Sequence, residues 1–368
     1  MQKEAAYQSS LARILKAVAL ETPDRVPVVL EYAGFAAHVT QTPMAEFLGD
    51  PEKNLQTMIK AYHMVGGADA INYGSFWPYN LCYSFMSKVR VPGVDLPDND
   101  MWQVIETELM TRKDYDRIVD LGWPAYFKKF MGERIINDVP ASYLPPQRKA
   151  PDTQAAWRKE GVPVLCGGDV TTPFELLCGS RSFVPFAIDL IEIPDKVTAA
   201  MDAIVPHLIG NRLQVAKDLG YPLAWVGGWR TAPSMLSPVM WQRFAWSYFK
   251  RIVNEVVDTG LIALLHLDSD WTRELNRFLE LPKGRCIMAL DGETDIFKAR
   301  QVLDGHMCIM GDVPATMLFM DDPDTVFDYC TRLIKELGPQ GFILQSGCDI
   351  PTNAKLENVQ AMVAAATG

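Results

Sequence analysis

The chain has 368 residues, a formal net charge of −10, 48% hydrophobic and 22% charged residues. That balance excludes a disordered or fibrous chain, and an acidic protein without a Lys/Arg-rich run is not expected to bind nucleic acid. No apolar run approaches the ~18–20 residues that span a bilayer, and the polar start lacks a signal-peptide core, so a cytoplasmic protein without a membrane partner is expected.

Short apolar runs then alternate with helical patterns. Val26–Leu30 is the first predicted strand. Asp50-Pro51 caps and opens a helix over Glu52–Val65, which Gly66-Gly67 closes. Ala70–Tyr73 is the second strand. The stretch from Gly74 to Gly161 is far longer than an ordinary connection. It carries Pro92, Pro97, Pro140, Pro145, Pro146 and Pro151, the aromatics Phe76, Trp77 and Tyr79, and one helical pattern near Lys113–Leu121. It reads as an insertion, residues 74–161, over the mouth of a barrel; a small structural domain is the alternative. Six further strands are predicted at Val162–Cys166, Leu223–Val226, Leu261–His266, Cys286–Leu290, Met307–Met310 and Phe342–Gln345. Asp322-Pro323 caps a helix over Thr325–Leu337, which Gly338 stops. The runs are apolar throughout, as parallel strands covered on both faces are. Eight of them predict an α/β fold, a (β/α)8 TIM barrel spanning 1–368 as one domain, with the long insertion between the second and third strands. A doubly wound sheet would want a Gly-rich loop after its first strand, and Glu31-Tyr32-Ala33-Gly34 is not one.

Chemistry in barrel enzymes gathers at the C-terminal ends of the strands. Those ends supply Glu31, Asp291 and Asp312 as candidate catalytic carboxylates. Tyr32, Tyr73, Trp77, Trp229 and Arg230 are candidate substrate contacts, the aromatics lining an apolar pocket or packing beneath a lid. Arg230 suits a substrate carboxylate or a surface ion pair. His266 and Asp268 are two residues apart on an extended segment, so both side chains face one way. With Cys348 after the last strand they offer N, O and S ligands and an open position, as a catalytic zinc site does. The bland alternative is a hydrogen-bonded histidine and a cysteine filling core volume. Cys308 competes as a ligand but sits deeper in its strand and reads as core.

Several motifs resemble the uroporphyrinogen decarboxylase superfamily. They are Pro23-Asp24-Arg25-Val26-Pro27, Pro173-Phe174, Ser237-Pro238, Gly311-Asp312-Val313-Pro314, and Gly347-Cys348-Asp349-Ile350-Pro351 followed by Glu357-Asn358-Val359. The resemblance itself implies the barrel. Decarboxylases of the superfamily carry an arginine-rich segment after the first strand, for a substrate with many carboxylates; Glu31 to Phe35 holds no arginine. The other branch resembled is the zinc-dependent methyltransferases that serve corrinoid proteins, whose pattern is His-x-Cys and a distant Cys in a Gly-Cys-Asp-Ile-Pro context. His266 and Cys348 match it, and Asp268 stands where the first Cys would be. The resemblance implies Zn2+ on His266, Asp268 and Cys348, and cobalamin supplied by a partner corrinoid protein. One thiolate fewer makes a harder Lewis acid, better suited to polarising an oxygen. The expected reaction is methyl transfer from an O-methyl donor, an aryl methyl ether above all, to cob(I)alamin. The alternatives are a methylcorrinoid:thiol methyltransferase, a cofactor-free decarboxylase using Asp291 or Asp312, and a non-catalytic corrinoid- or ligand-binding barrel. Asp304-Gly305-His306 opens like a cobalamin-binding DxHxxG motif, but Ile309 occupies the glycine position, so no tight binding of free cobalamin is expected.

Overall fold

The computed structural model describes residues 2–145 and 147–368, and all side chains among them but those of residues 211 and 212. Pro146, one of the prolines of the long connection, lies outside the described residues. Each of the eight apolar runs supplies a parallel strand or abuts one. They give β1 (Val29–Leu30), β2 (Ala70–Ile71), β5 (Cys166–Thr171), β6 (Leu223–Gly228), β7 (Ile262–Leu267), β8 (Cys286–Leu290), β9 (Cys308–Val313) and β10 (Phe342–Ser346). Two short strands, β3 (Lys88–Arg90) and β4 (Gln103–Ile105), pair antiparallel within the long connection.

β5 to β10 form one six-stranded parallel sheet in sequence order, and β1 pairs parallel with β2. Single parallel bridges join that pair to both sheet edges, Val28 to Leu344 and Ile71 to Val164. The first strand is shorter than its apolar run because Pro27 has no N–H for the ladder; its carbonyl still accepts from Leu344 N. The third strand lies later than expected. Val162–Leu165 leads into it, and the strand continues past Gly167-Gly168, which the composition marks as a turn and where the register against β6 shifts. A Cβ on Gly167 would fall 2.4 Å from the Tyr221 ring, so this strand tolerates glycine because another side chain needs the space.

Two apolar layers result. Val29, Ala70, Leu165, Leu223, Leu264, Ile287, Cys308, Met310 and Ile343 pack together inside, against Ile14, Ala17 and Val18 of the helix Gln2–Val18. A larger cluster lies between the strands and the surrounding helices. Two of those helices carry the expected caps: Asp50 accepts from Glu52 N and Lys53 N ahead of Pro51–Met64, and Asp322 accepts from Thr325 N ahead of Pro323–Leu337.

The connection between β2 and β5 holds more structure than the one helix expected of it, which is Arg112–Leu121. It also contains the helices Asn80–Phe85, Trp123–Phe130 and Thr153–Glu160. The last of these packs against the N-terminal helix. Its Trp157 is buried and donates from Nε1 to Gly74 O, and its Arg158 and Glu160 pair with Glu4 and Lys3 of the N-terminal helix. Among the described residues no helix is long and apolar enough to cross a membrane.

Candidate metal centre

Strand alternation builds the site. Val29, Ala70, Leu264 and Ile343 face inward, and two residues on along the same strands stand Glu31, Asn72, His266 and Gln345. The apolar interior thus gives way to a polar layer at the C-terminal ends. Asn72, fully buried, donates from Nδ2 to Glu31 Oε2 (2.5 Å) and Gln345 Oε1 (3.0 Å). His266 is also buried and packs against the Trp225 ring, with 5.4 Å between centroids.

Asp268 follows β7, its amide bonded to Gly228 O. Cys348 follows β10 in a turn where Ser346 Oγ donates to its carbonyl. Gly347 makes that turn possible, since a Cβ there would lie 2.5 Å from Asp291 O. His266 Nε2 is 3.3 Å from Asp268 Oδ1 and 3.7 Å from Cys348 Sγ, and the three ligand atoms all lie within 4.8 Å of one another. Zn–N and Zn–O bonds of about 2.0–2.1 Å and a Zn–S bond of about 2.3 Å put tetrahedral edges at roughly 3.3 Å (N to O) and 3.6 Å (N to S). The side chains already stand at that spacing, so the residues fit the ion that the motif implies.

The charge around His266 favours a cation. Burial lowers the imidazole's proton affinity, yet the carboxylates of Glu31 and Asp268 and the Cys348 sulfur outweigh it and hold the pKa well above the ordinary value. Asp349 is pushed up to about 7 by burial and by Glu31, against hydrogen bonds from Tyr73 Oη (2.8 Å) and Ala33 N (2.9 Å). Burial raises the Cys348 thiol too, and His266 opposes it.

These groups lie in the wall of a cavity of about 660 Å3. Trp225 comes from within β6, and Trp229, Arg230 and Tyr73 from just past strand ends; Phe76, Trp77, Leu81, Phe85, Trp102 and Val104 come from the long connection. Phe76 and Trp102 pack with centroids 4.4 Å apart, and Phe85 meets Trp229 edge-on at 4.2 Å.

The structure brings Glu31, Tyr73, Trp77, Trp229, Arg230, His266, Asp268 and Cys348 to this one cavity. Three expected members do not line it. Tyr32 points to the opposite face of its strand, buried among helices, with its hydroxyl on Met58 O. Asp291 spends both oxygens on backbone, accepting from Ser269 N and Glu293 N. Asp312 accepts from Tyr329 Oη on the outer helix Pro323–Leu337. Neither aspartate lines the cavity. Cys308 is interior core, as its depth in the strand implied. The sequence reading missed Asn72 and Gln345, which alternation from Ala70 and Ile343 points to, and gave Asp349 no role. Trp102 carries no local signal.

The uroporphyrinogen decarboxylase (URO-D) family profile matches residues 135–368. Uroporphyrinogen decarboxylases from Citrifermentans bemidjiense and Syntrophotalea carbinolica are 26% identical over 203 and 200 residues, in each case 52% of this chain and 56% of the relative. The chain therefore spans about half the length of the relatives it matches. A solved methyltransferase from Methanosarcina mazei superposes with a TM-score of 0.69 over 96% of both chains, at 17% identity, which speaks for the fold alone. As the family match extends over more than half of its length, the chain belongs to the uroporphyrinogen decarboxylase family.

Proposed function

We propose that the protein is a zinc-dependent methyltransferase, a single (β/α)8 barrel whose connection 74–161 covers the mouth. It moves a methyl group from an O-methyl donor, an aryl methyl ether above all, to a corrinoid held by a partner protein. The observation that carries this reading is the His266–Asp268–Cys348 cluster, its ligand atoms within 4.8 Å of one another, in the wall of an aromatic cavity. Zinc bound there would supply Lewis acidity toward the donor oxygen, harder for having one thiolate ligand rather than two.

The chain's own residues do the rest. Phe76, Trp77, Trp102 and Trp229 hold an aryl ring and exclude water. Asp349, held by the Tyr73 hydroxyl and the Ala33 amide, fixes a carboxyl group in the cavity wall beside Cys348. A decarboxylase reading loses support. Among the described residues, Arg230 and His266 are the basic side chains in the cavity wall, against Glu31, Asp169, Asp268 and Asp349. That wall repels a substrate with many carboxylates, and Asp291 and Asp312 are engaged elsewhere.

The test combines metal content with methyl transfer to free cob(I)alamin, followed by absorbance. Zinc is expected at about one per chain and to be lost in His266→Ala and Cys348→Ala. Aryl methyl ethers should react faster than alkyl ones, because a phenolate leaves more readily. Asp268→Cys should keep zinc and slow ether cleavage. Equal rates across the series, or activity on methyl thioethers alone, would sink the reading.

A further inference from the structure

Glu175 stands in the first turn of the helix Pro173–Arg181, its amide bonded to the N-cap Thr172 hydroxyl. Thr172 and Glu175 have capping-box spacing, in which the glutamate ordinarily turns back to the N-cap amide. Here it reaches elsewhere. Its Oε1 accepts from Trp229 N (3.0 Å), Thr231 N (2.9 Å) and Thr231 Oγ1 (3.0 Å), and the residue is fully buried. The two backbone donors flank Arg230, so one carboxylate oxygen pins the turn on both sides of it.

Arg230 lines the cavity, its guanidinium 5.2 Å from the Trp229 ring centre. Its Nη1 is buried with no acceptor, and Trp77 Nε1 in the same wall is a second buried donor without a partner. Such orphans are rare in folded proteins and call for an explanation. The carboxylates of the wall, by contrast, are provided for: Glu31 by Asn72, Asp349 by Tyr73 and Ala33, Asp169 by Ser84 Oγ, and Asp268 by His266. Glu175 Oε2 and Asn72 Oδ1 are orphaned acceptors too, but neither residue lines the cavity, and for Arg230 and Trp77 in the wall itself the unmet demand is for an acceptor. A planar carboxylate matches the guanidinium fork, and Trp229 offers a ring face beside it.

We propose that Arg230 binds a carboxylate on the methyl donor, and that Glu175 is the positioning residue that holds the Trp229–Thr231 turn for it. The donor class is then an O-methylated aromatic carboxylate. The proposal rests on the methyltransferase reading for the methyl ether. Its test needs no turnover, so a binding preference without methyl transfer would sink that reading alone.

The probes are 4-methoxybenzoate, neutral methoxybenzene and 4-methoxyphenyl-trimethylammonium. Each is titrated by tryptophan fluorescence against the full-length chain after chelation, so that no ligand carboxylate is held by a metal. The benzoate should bind at least about ten-fold more tightly than methoxybenzene, the gain of one charge-assisted contact. Arg230→Gln should bring that ratio to near one through loss of benzoate affinity. Glu175→Gln keeps the acceptor oxygen and should keep the preference; Glu175→Asp, one methylene short of the turn, should lose it. A wild-type ratio near one, tighter binding of the trimethylammonium probe, or an undiminished ratio in Arg230→Gln overturns the carboxylate assignment. Wild-type preference in Glu175→Asp, or its loss in Glu175→Gln, overturns the positioning role.

Discussion

Glu31 and Tyr32 are neighbours at the end of β1, yet they serve opposite layers. Glu31 enters the cavity wall with Asn72, while Tyr32 is sealed among helices with its hydroxyl on Met58 O. The alternation that separates them is legible from Val29 onward, and the same counting places His266 inward from Ile262 and Leu264. Asp312 shows where residue type misleads. It stands at a strand end, as a catalytic carboxylate would, but its partner Tyr329 lies about 17 positions on, in a helix whose packing no local pattern foretells. Burial lifts its pKa from 3.8 to about 6. The folded state therefore holds a proton between about pH 4 and 6 that the unfolded chain has released. The contribution of Asp312 to stability falls as pH rises through that window and is lost above the folded-state value, a change on the order of 3 kcal/mol. Asp312→Asn should flatten this decline, so that thermal melts of the variant gain on wild type from pH 4 to 7, with zinc content and ligand affinity unchanged. A variant that folds but no longer transfers methyl groups would return Asp312 to the active site.

Strands were readable wherever an apolar run was bounded by polar residues, as at Cys286–Leu290, which matches β8 end for end. They were displaced where composition and packing disagree, as in β5 with its two glycines. The connection between β2 and β5 was the least legible element. The β3–β4 pair is three residues per strand, too short for periodicity or propensity to mark it. Yet it carries Trp102 to Phe76 and so completes the aromatic wall. Trp102→Ala should then weaken 4-methoxybenzoate and methoxybenzene alike, by about ten-fold for the loss of one ring contact, and leave their ratio unchanged. This separates the wall from Arg230, whose replacement should change the ratio. Titration of both ligands into the variant decides it: undiminished affinity would mean that the connection shields the mouth without touching the ligand.

Across the whole molecule, the proposed metal set joins distant parts of the sheet. His266 lies in β7 and Asp268 follows it, Cys348 follows β10, and β8 and β9 lie between the two strands in the sheet. An ion held by all three therefore ties strands that make no hydrogen bonds to each other, at a level where the apolar interior has ended and polar side chains have replaced it. Binding to the folded chain alone raises its stability by about 2.7 kcal/mol at a hundred-fold excess over Kd. An unfolding entropy of about 2.1 cal/mol/K per residue, over 368 residues, converts this to a rise in Tm of roughly 3–4 °C. Calorimetry of chelated protein with and without added zinc should show that rise. His266→Ala and Cys348→Ala should abolish it, since each removes a ligand. Cys308→Ala should lower the melting temperature of both forms, because it leaves a void in the interior, and keep the zinc-dependent increment intact. An increment lost in Cys308→Ala and retained in Cys348→Ala would move the metal to the deeper cysteine and end the assignment made here.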